Sequence, residues 1–179
     1  MRVFAREMVV TVEEGRSRSA EIGALTELYR IHAPEALRLA YLVTGERTLA
    51  EDLVQDAFAK VLGRFHDLRN RDAFWWYLRR TIVNLANSRF RRRRVERAWL
   101  AAQRPEAAAP TGPDLAERDR MRRALMTLRP EQRAAIVLRY YEDLTEADTA
   151  EVLGIPVGTV KSMVSRGMVR LREELSRDA

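Results

Sequence analysis

Cysteine is absent from this 179-residue chain. Its absence excludes disulfides, thiolate zinc sites and cysteine nucleophiles, and it favours a cytoplasmic setting. Histidine is almost as scarce: His32 and His66 are the only two, so no histidine-rich metal centre is expected. No apolar run approaches the roughly 18 residues that a membrane-spanning helix needs, and no membrane partner is expected. No stretch alternates apolar and polar residues with a two-residue period over a useful length, so no sheet is predicted. Gly-rich phosphate loops, nucleophile motifs and metal-ligand clusters are also missing, and with them the usual grounds for an enzyme or a cofactor. The segment Met1–Ala20 mixes four Arg with three Glu. Its apolar patch (Met8, Val9, Val10) is too short for a signal peptide, and the segment reads as an N-terminal extension.

What is present begins with core material. Hydrophobic residues make up 46% of the chain and charged residues 32%, which excludes wholesale disorder. The net charge is +6, with a pI of about 10.2, and its distribution carries more information than its total. Residues 21–98 hold 15 bases and 10 acids, whereas residues 114–179 hold 12 of each. Between 79 and 97 stand eight Arg against one Glu, and between Val157 and Arg172 four bases and no acid. Two such stripes point to a polyanion, with nucleic acid the first candidate. Either stripe alone would also fit a solvated face. Apart from Lys60 and Lys161 every base is Arg.

Composition breaks once, at AAQRPEAAAPTGP (101–113), a stretch with three prolines and almost no large apolar side chain. It reads as a flexible linker, placed at 99–113, between an N-terminal helical module (21–98) and a C-terminal one (114–179). The expected class is therefore all-α, two small helical domains. From Leu49 the apolar positions Leu53, Val54, Ala57, Phe58, Val61, Leu62 and Phe65 keep helical spacing, and Thr48 with Glu51 suggests a capping box. An earlier stripe (Leu25, Leu28, Tyr29, Leu37, Tyr41, Leu42) is expected to bend or break near Pro34. A third helix should start near Asp72 and run into the arginines at 91–94. Beyond the linker, Leu115, Met121, Leu125 and Leu128 share a helical face, Pro130 opens a helix reaching about Glu142, Thr145–Leu153 forms a short helix, and Val157–Leu175 a long final one.

The segment TEADTAEVLGIPVGTVKSMVSRGMVRLRE (145–173) meets the needs of a helix-turn-helix. Ala150 is the small residue where two helices cross, Gly154 tolerates the turn's positive φ, and Leu153, Ile155, Val160 and Met163 face inward. The outer face of the second helix then carries Thr159, Lys161, Ser162, Ser165, Arg166 and Arg170, short polar and long basic side chains suited to base edges and phosphates in a major groove. A helical hairpin with a charged face, or a dimerising module, would share part of this pattern. The acids Glu142, Asp143, Glu146, Asp148 and Glu151 fit the solvated start of a helix better than a metal site.

Residues 72–94 read DAFWWYLRRTIVNLANSRFRRRR. Phe74, Leu78, Ile82, Leu85 and Phe90 can line a buried face. Trp75, Trp76 and Tyr77 are consecutive and fan over about 200° of the helix, so they cannot all share one narrow stripe. An exposed ring beside Arg79, Arg80 and Arg89 is what holding a single strand requires, bases on rings and phosphates on arginines. The run containing Arg91 and Arg92 suits sequence-independent phosphate contact.

Together the two modules, their order and their motifs resemble a sigma-70-type factor of the extracytoplasmic-function (ECF) group. Three stretches carry the resemblance: AEDLVQDAFAKV (50–61), LRPEQRAAIVLRYYEDLT (128–145) and LGIPVGTVKSMVSRGMVRLRE (153–173). It implies a transcription initiation factor that binds core RNA polymerase and promoter DNA. On this pattern the 50–61 helix docks on polymerase and offers Glu51, Asp52, Gln55, Asp56 and Lys60. The loop 65–72, with Arg69 and Asn70, and the helix after it open and read the −10 element. The final helix reads the −35 element. An anti-sigma partner is implied by the family and identified by nothing in the chain. Four positions depart from the usual pattern: Pro156 where serine commonly caps, Thr149 for an aliphatic, Tyr77 where Trp is common, and Met163 where Arg is frequent. The alternative reading is a stand-alone helix-turn-helix regulator acting as a dimer.

Overall fold

The computed structural model describes residues 23–24, 26–62, 71–99 and 113–177, and the side chains among them other than 71–72, 94–99 and 113–119. The N-terminal extension, the Arg69–Asn70 loop and the 100–112 core of the expected linker lie outside the described residues. Those described are helical, with no strand among them: α1 (26–44), α2 (Arg47–Leu62), α3 (Arg71–Trp99), α4 (Pro113–Met126), α5 (Pro130–Ile136), α6 (Glu146–Leu153) and α7 (Val157–Arg177). α5 runs directly into a π-helical turn, Val137–Tyr141. Two compact units meet between Glu35 and Ala36, and everything from Ala36 onward belongs to the second.

In the unit before Ala36, the exposed Glu27 holds Arg30 one turn away at 2.7 Å. The expected break near Pro34 does not occur, because residues 26–44 are continuously helical. Proline removes one bond, to the carbonyl of Arg30; both residues are exposed, so water can take the freed oxygen.

The second unit begins with the end of α1. Its buried positions are Ala36, Leu39, Ala40, Val43 and Thr44, not the expected Leu37, Tyr41 and Leu42, which are half-buried. The helix stops at Gly45, whose φ of 73° lets its N–H return to the carbonyl of Tyr41 at 2.7 Å. α2 follows so closely, at Arg47, that Thr48 is already inside it and cannot cap it. The capping box expected at Thr48 and Glu51 is therefore absent, and Glu51 instead takes Arg47 at 2.9 Å. α2 buries Leu53, Val54, Ala57 and Phe58 against α3, with Phe58 and Phe74 in ring contact at 6.0 Å. α3 buries Phe74, Leu78 and Ile82 as expected, together with Val83, Ala86 and Arg79; Leu85 and Phe90 are only half-buried.

The C-terminal helices gather around Ala124, Leu125, Leu128, Ile136 and Leu171, and Leu42 of α1 packs on that same cluster. Met121 does not join it, being 42% exposed. Gly167 lets α5 and α7 approach closely, since a Cβ there would stand 2.7 Å from Cδ1 of Ile136. The helix opened by Pro130 does not stay α-helical to Glu142. Its last turn widens, with Glu142 N–H bonding to the carbonyl of Val137 at 3.1 Å, which buries Val137 and Leu138 while Tyr140 and Tyr141 face solvent.

Candidate nucleic-acid interface

The helix-turn-helix is built as its residues require. Thr145 caps α6: its hydroxyl accepts from the Asp148 N–H at 3.1 Å while the Asp148 carboxylate accepts from the Thr145 N–H at 3.3 Å. Gly154 stands in the left-handed region (φ 67°) and closes α6 by donating to the carbonyls of Ala150 and Glu151. Pro156 precedes α7; its carbonyl accepts from Thr159 and Val160, and its ring has no polar atom with which to cap the helix. Ala150, Val152 and Val160 are buried, Leu153, Ile155 and Met163 half-buried. Thr149 is fully buried and its hydroxyl has no hydrogen-bond partner.

That packing presents one side of α7 to solvent. Lys161, Ser165, Arg166 and Arg170 are exposed, Thr159 and Ser162 half-exposed. The cations are lightly held. Lys161 Nζ lies 3.4 Å from Glu146 Oε2, and Arg166 donates to the Ser162 carbonyl at 3.0 Å and to its hydroxyl at 3.1 Å. Exposed pairs of this kind are worth about 0–1 kcal/mol and yield to a phosphate. Three of the five acids between 142 and 151 have partners: Asp148 in the cap, Glu146 with Lys161, and Glu142 with Arg79.

On α3 the expected cluster divides. Tyr77 is the most exposed of the three rings, at 43%, while Trp75 and Trp76 are half-buried. Arg79 is not on the surface expected of it. It is 8% exposed, lies beneath Trp75 and Trp76 with its guanidinium 5.3 and 5.9 Å from their rings, and meets Glu142 Oε2 at 2.8 Å. The N–H at Nε points at no acceptor, so the contact is ionic rather than a formed hydrogen bond. The reason is tertiary: α3 packs on the C-terminal helices, and Arg79 falls on the packed side. Arg89, Arg91 and Arg92 are exposed and Arg80 half-buried. Arg69 and Asn70 lie outside the described residues. On α2, Asp52, Gln55, Asp56 and Lys60 are exposed and Glu51 half-buried; Asp56 sits 3.8 Å from Arg89, so the acidic face of α2 adjoins the basic face of α3.

Sequence reasoning missed three residues that join the helices before the linker to those after it. Arg133 of α5 is 4% exposed, yet its Nε–H donates to the carbonyl of Val43 at 2.6 Å and its guanidinium covers Phe90 at 5.2 Å. It thereby satisfies one of the orphan carbonyls at the end of α1 with a full positive charge. Burial pushes its pKa down to about 10, against the pull of Glu131, which leaves it charged at neutral pH. The others are Glu142 and Met126, whose side chain lies where a Cβ on Gly45 would be. The available sign was an arginine inside the apolar run RAAIVL, where helical spacing leaves it no solvent face.

Comparison with known proteins fits this arrangement. The family model "Sigma-70 region 2" matches residues 28–96, and "Sigma-70, region 4" matches residues 118–171. The RNA polymerase sigma-E factor of Streptomyces coelicolor is 33% identical over 156 residues, covering 87% of this chain and 88% of its own. The ECF RNA polymerase sigma factor SigM of Mycobacterium tuberculosis is 35% identical over 149 residues, 83% of this chain and 75% of its own. Among solved structures, the sigma factor RpoE of Bartonella quintana, determined with the anti-sigma factor NepR, superposes with a TM-score of 0.71 at 26% identity, covering 86% of this chain and 98% of that one. A stand-alone dimeric regulator is not favoured. The chain belongs to the sigma-70 family, in its extracytoplasmic-function group, and is a sigma factor that directs transcription initiation by RNA polymerase.

Proposed function

We propose that three surfaces divide the work of initiation. The exposed side of α2, with Glu51, Asp52, Gln55, Asp56 and Lys60, docks on core polymerase. The loop before α3 with Arg69 and Asn70, then Tyr77 and the arginines along α3, opens and holds the −10 element. The outer face of α7 reads the −35 element through Lys161, Ser162, Ser165 and Arg166, with Thr159 and Arg170 at its flanks. The chain works in the cytoplasm, where polymerase performs the chemistry, and it is a target for an anti-sigma protein, as RpoE is for NepR. Domains at 21–98 and 114–179 would carry these surfaces. The observation that supports this most is the α6–turn–α7 geometry, in which Val152 and Val160 are buried while Lys161 and Arg166 stand exposed and lightly paired.

Run-off transcription with core polymerase and a promoter library tests it. The chain should select promoters with two separated elements, and an output unchanged by its addition would refute the reading. On a selected promoter, Tyr77→Ala should slow strand opening by roughly tenfold or more, since one base–ring stack is worth about 1–3 kcal/mol. An artificially melted promoter should restore most of the activity. Permanganate reactivity equal to wild type would remove Tyr77 from strand capture.

A further inference from the structure

Four bases and no acid stand on α7 between Val157 and Arg172. An acid nevertheless reaches that face from another helix. Glu146 is the first residue of α6, and its Oε2 lies 3.4 Å from Lys161 Nζ. α6 does not use it as a cap, because Thr145 and Asp148 close the capping box between them. Asp148 also supplies the negative charge that a first helical turn favours. Arg166, the other cation beside Ser162, is held differently. It leans on the carbonyl and the hydroxyl of Ser162 at 3.0 and 3.1 Å, both neutral, and these contacts leave its charge uncancelled.

The difference bears on which DNA atoms each cation can meet. A phosphate oxygen carries negative charge, whereas the acceptors on a base edge are neutral dipoles. A phosphate drawn to Lys161 must also stand beside the Glu146 carboxylate, and like charges at that range repel. The ion pair is exposed and readily exchanged. Exchange does not remove the carboxylate, however, because Glu146 stays on α6. A neutral acceptor pair such as O6 and N7 of guanine is repelled far less, and an ammonium has two further protons to offer it.

We propose that Glu146 is a positioning residue that sets sequence choice through Lys161. It turns that side chain from sequence-independent phosphate contact toward a base edge of the −35 element, with guanine the best-matched base. The inference rests on the reading of α7 given above and adds to it a residue of α6 that need touch no base. Because carboxylate and ammonium cancel, the pair releases no counterion on binding. Duplex without the element is then held less tightly, and selection sharpens.

The full-length chain bound to core polymerase tests this on a promoter that it selects and on the same duplex with the −35 element scrambled. Glu146→Gln keeps the size of the side chain and removes its charge. Affinity for the scrambled duplex should rise about threefold or more at roughly 0.1 M salt, and the log–log salt slope should steepen by about 0.9, as for one added phosphate contact. The ratio of promoter to scrambled affinity should fall about fivefold or more. In a series of single base-pair changes, discrimination should vanish at the pair that Lys161→Ala also ceases to read. Glu146→Asp keeps the charge and should keep the wild-type slope. In a Lys161→Ala background, Glu146→Gln should lower the ratio no further. A ratio unchanged by Glu146→Gln but lowered by Lys161→Ala would overturn the proposal and leave the α7 reading standing. So would an equal fall with and without Lys161, since Glu146 would then act by bulk charge alone. Equal weakening on both duplexes would also overturn it, the contact then merely bracing α6 against α7. A ratio that Lys161→Ala leaves unchanged would remove Lys161 as a base reader and the proposal with it.

Discussion

Lys161 and Arg166 on α7 and Arg79 and Arg133 between the modules are the same kind of residue put to opposite uses. The α7 cations stand in water, tied to groups on their own helix or the one before it. Lys161 is 63% exposed and its partner Glu146 42%. The interior pair are shut away, and their partners are far off in sequence: Glu142 for Arg79, Val43 and Phe90 for Arg133. An exposed cation exchanges its partner for a phosphate at little cost, whereas a buried one holds a tertiary arrangement together and is costly to strand. Basic charge therefore marks a nucleic-acid surface only where packing leaves it outside.

The largest effect that would break this contrast is expected at Arg133. Arg133→Ala removes a charged donor from the Val43 carbonyl, strips the cover from Phe90 and leaves a cavity. It should cost about 2–4 kcal/mol in urea denaturation. A loss below about 0.5 kcal/mol would mean that the buried arginines are as dispensable as surface ones.

Next come the α7 cations, for which the order of effects should invert. Lys161→Ala and Arg166→Ala should leave thermal stability within about 0.5 kcal/mol of wild type, as expected for exposed pairs. Promoter binding by the polymerase complex should weaken by about 1–3 kcal/mol for whichever residue contacts a base edge, with relaxed choice at that base pair. Uniform weakening across sequences would make it a phosphate contact. Unchanged promoter affinity in both variants would deny α7 the role of reader.

The smallest effect sharpens the comparison from the other side. Thr149 is polar, fully buried and, unlike Arg133, has no partner for its hydroxyl. Thr149→Val keeps the shape and removes the unmatched group, so stability should rise by about 1 kcal/mol. A fall in midpoint would show that the hydroxyl is satisfied in solution, for instance by water.

Much of this molecule was legible before any coordinates. Helical spacing located α2, α3, α6 and α7, and Gly154 marked the turn because positive φ is cheap only without a Cβ. The outward set on α7 followed from the inward one. Other expectations failed where local rules compete with neighbours. A bend or break was expected near Pro34 because an interior proline removes a helix bond, yet Pro34 and Arg30, whose carbonyl loses it, are both exposed and the helix runs on. Thr48 and Glu51 matched a capping box, but Gly45 ends α1 so abruptly that α2 begins two residues too early for it. The π turn at Val137–Tyr141 has no sequence marker, since the widened turn satisfies its backbone much as an α turn does.

By itself the sequence determined which segments are helical, the apolar faces of α2 and α3, and that basic charge gathers on α3 and α7. Those properties depend on side chains three or four residues apart, a distance that the helix itself fixes. The tertiary structure alone decided which of those charges face water. Arg79 and Arg80 are adjacent at the start of the same basic segment, and nothing local separates them. One is buried under two tryptophans against Glu142 because the bend that carries Glu142, 63 residues further on, packs there. Burial is a property of what lies opposite, and what lies opposite is set by long-range packing that helical periodicity does not encode.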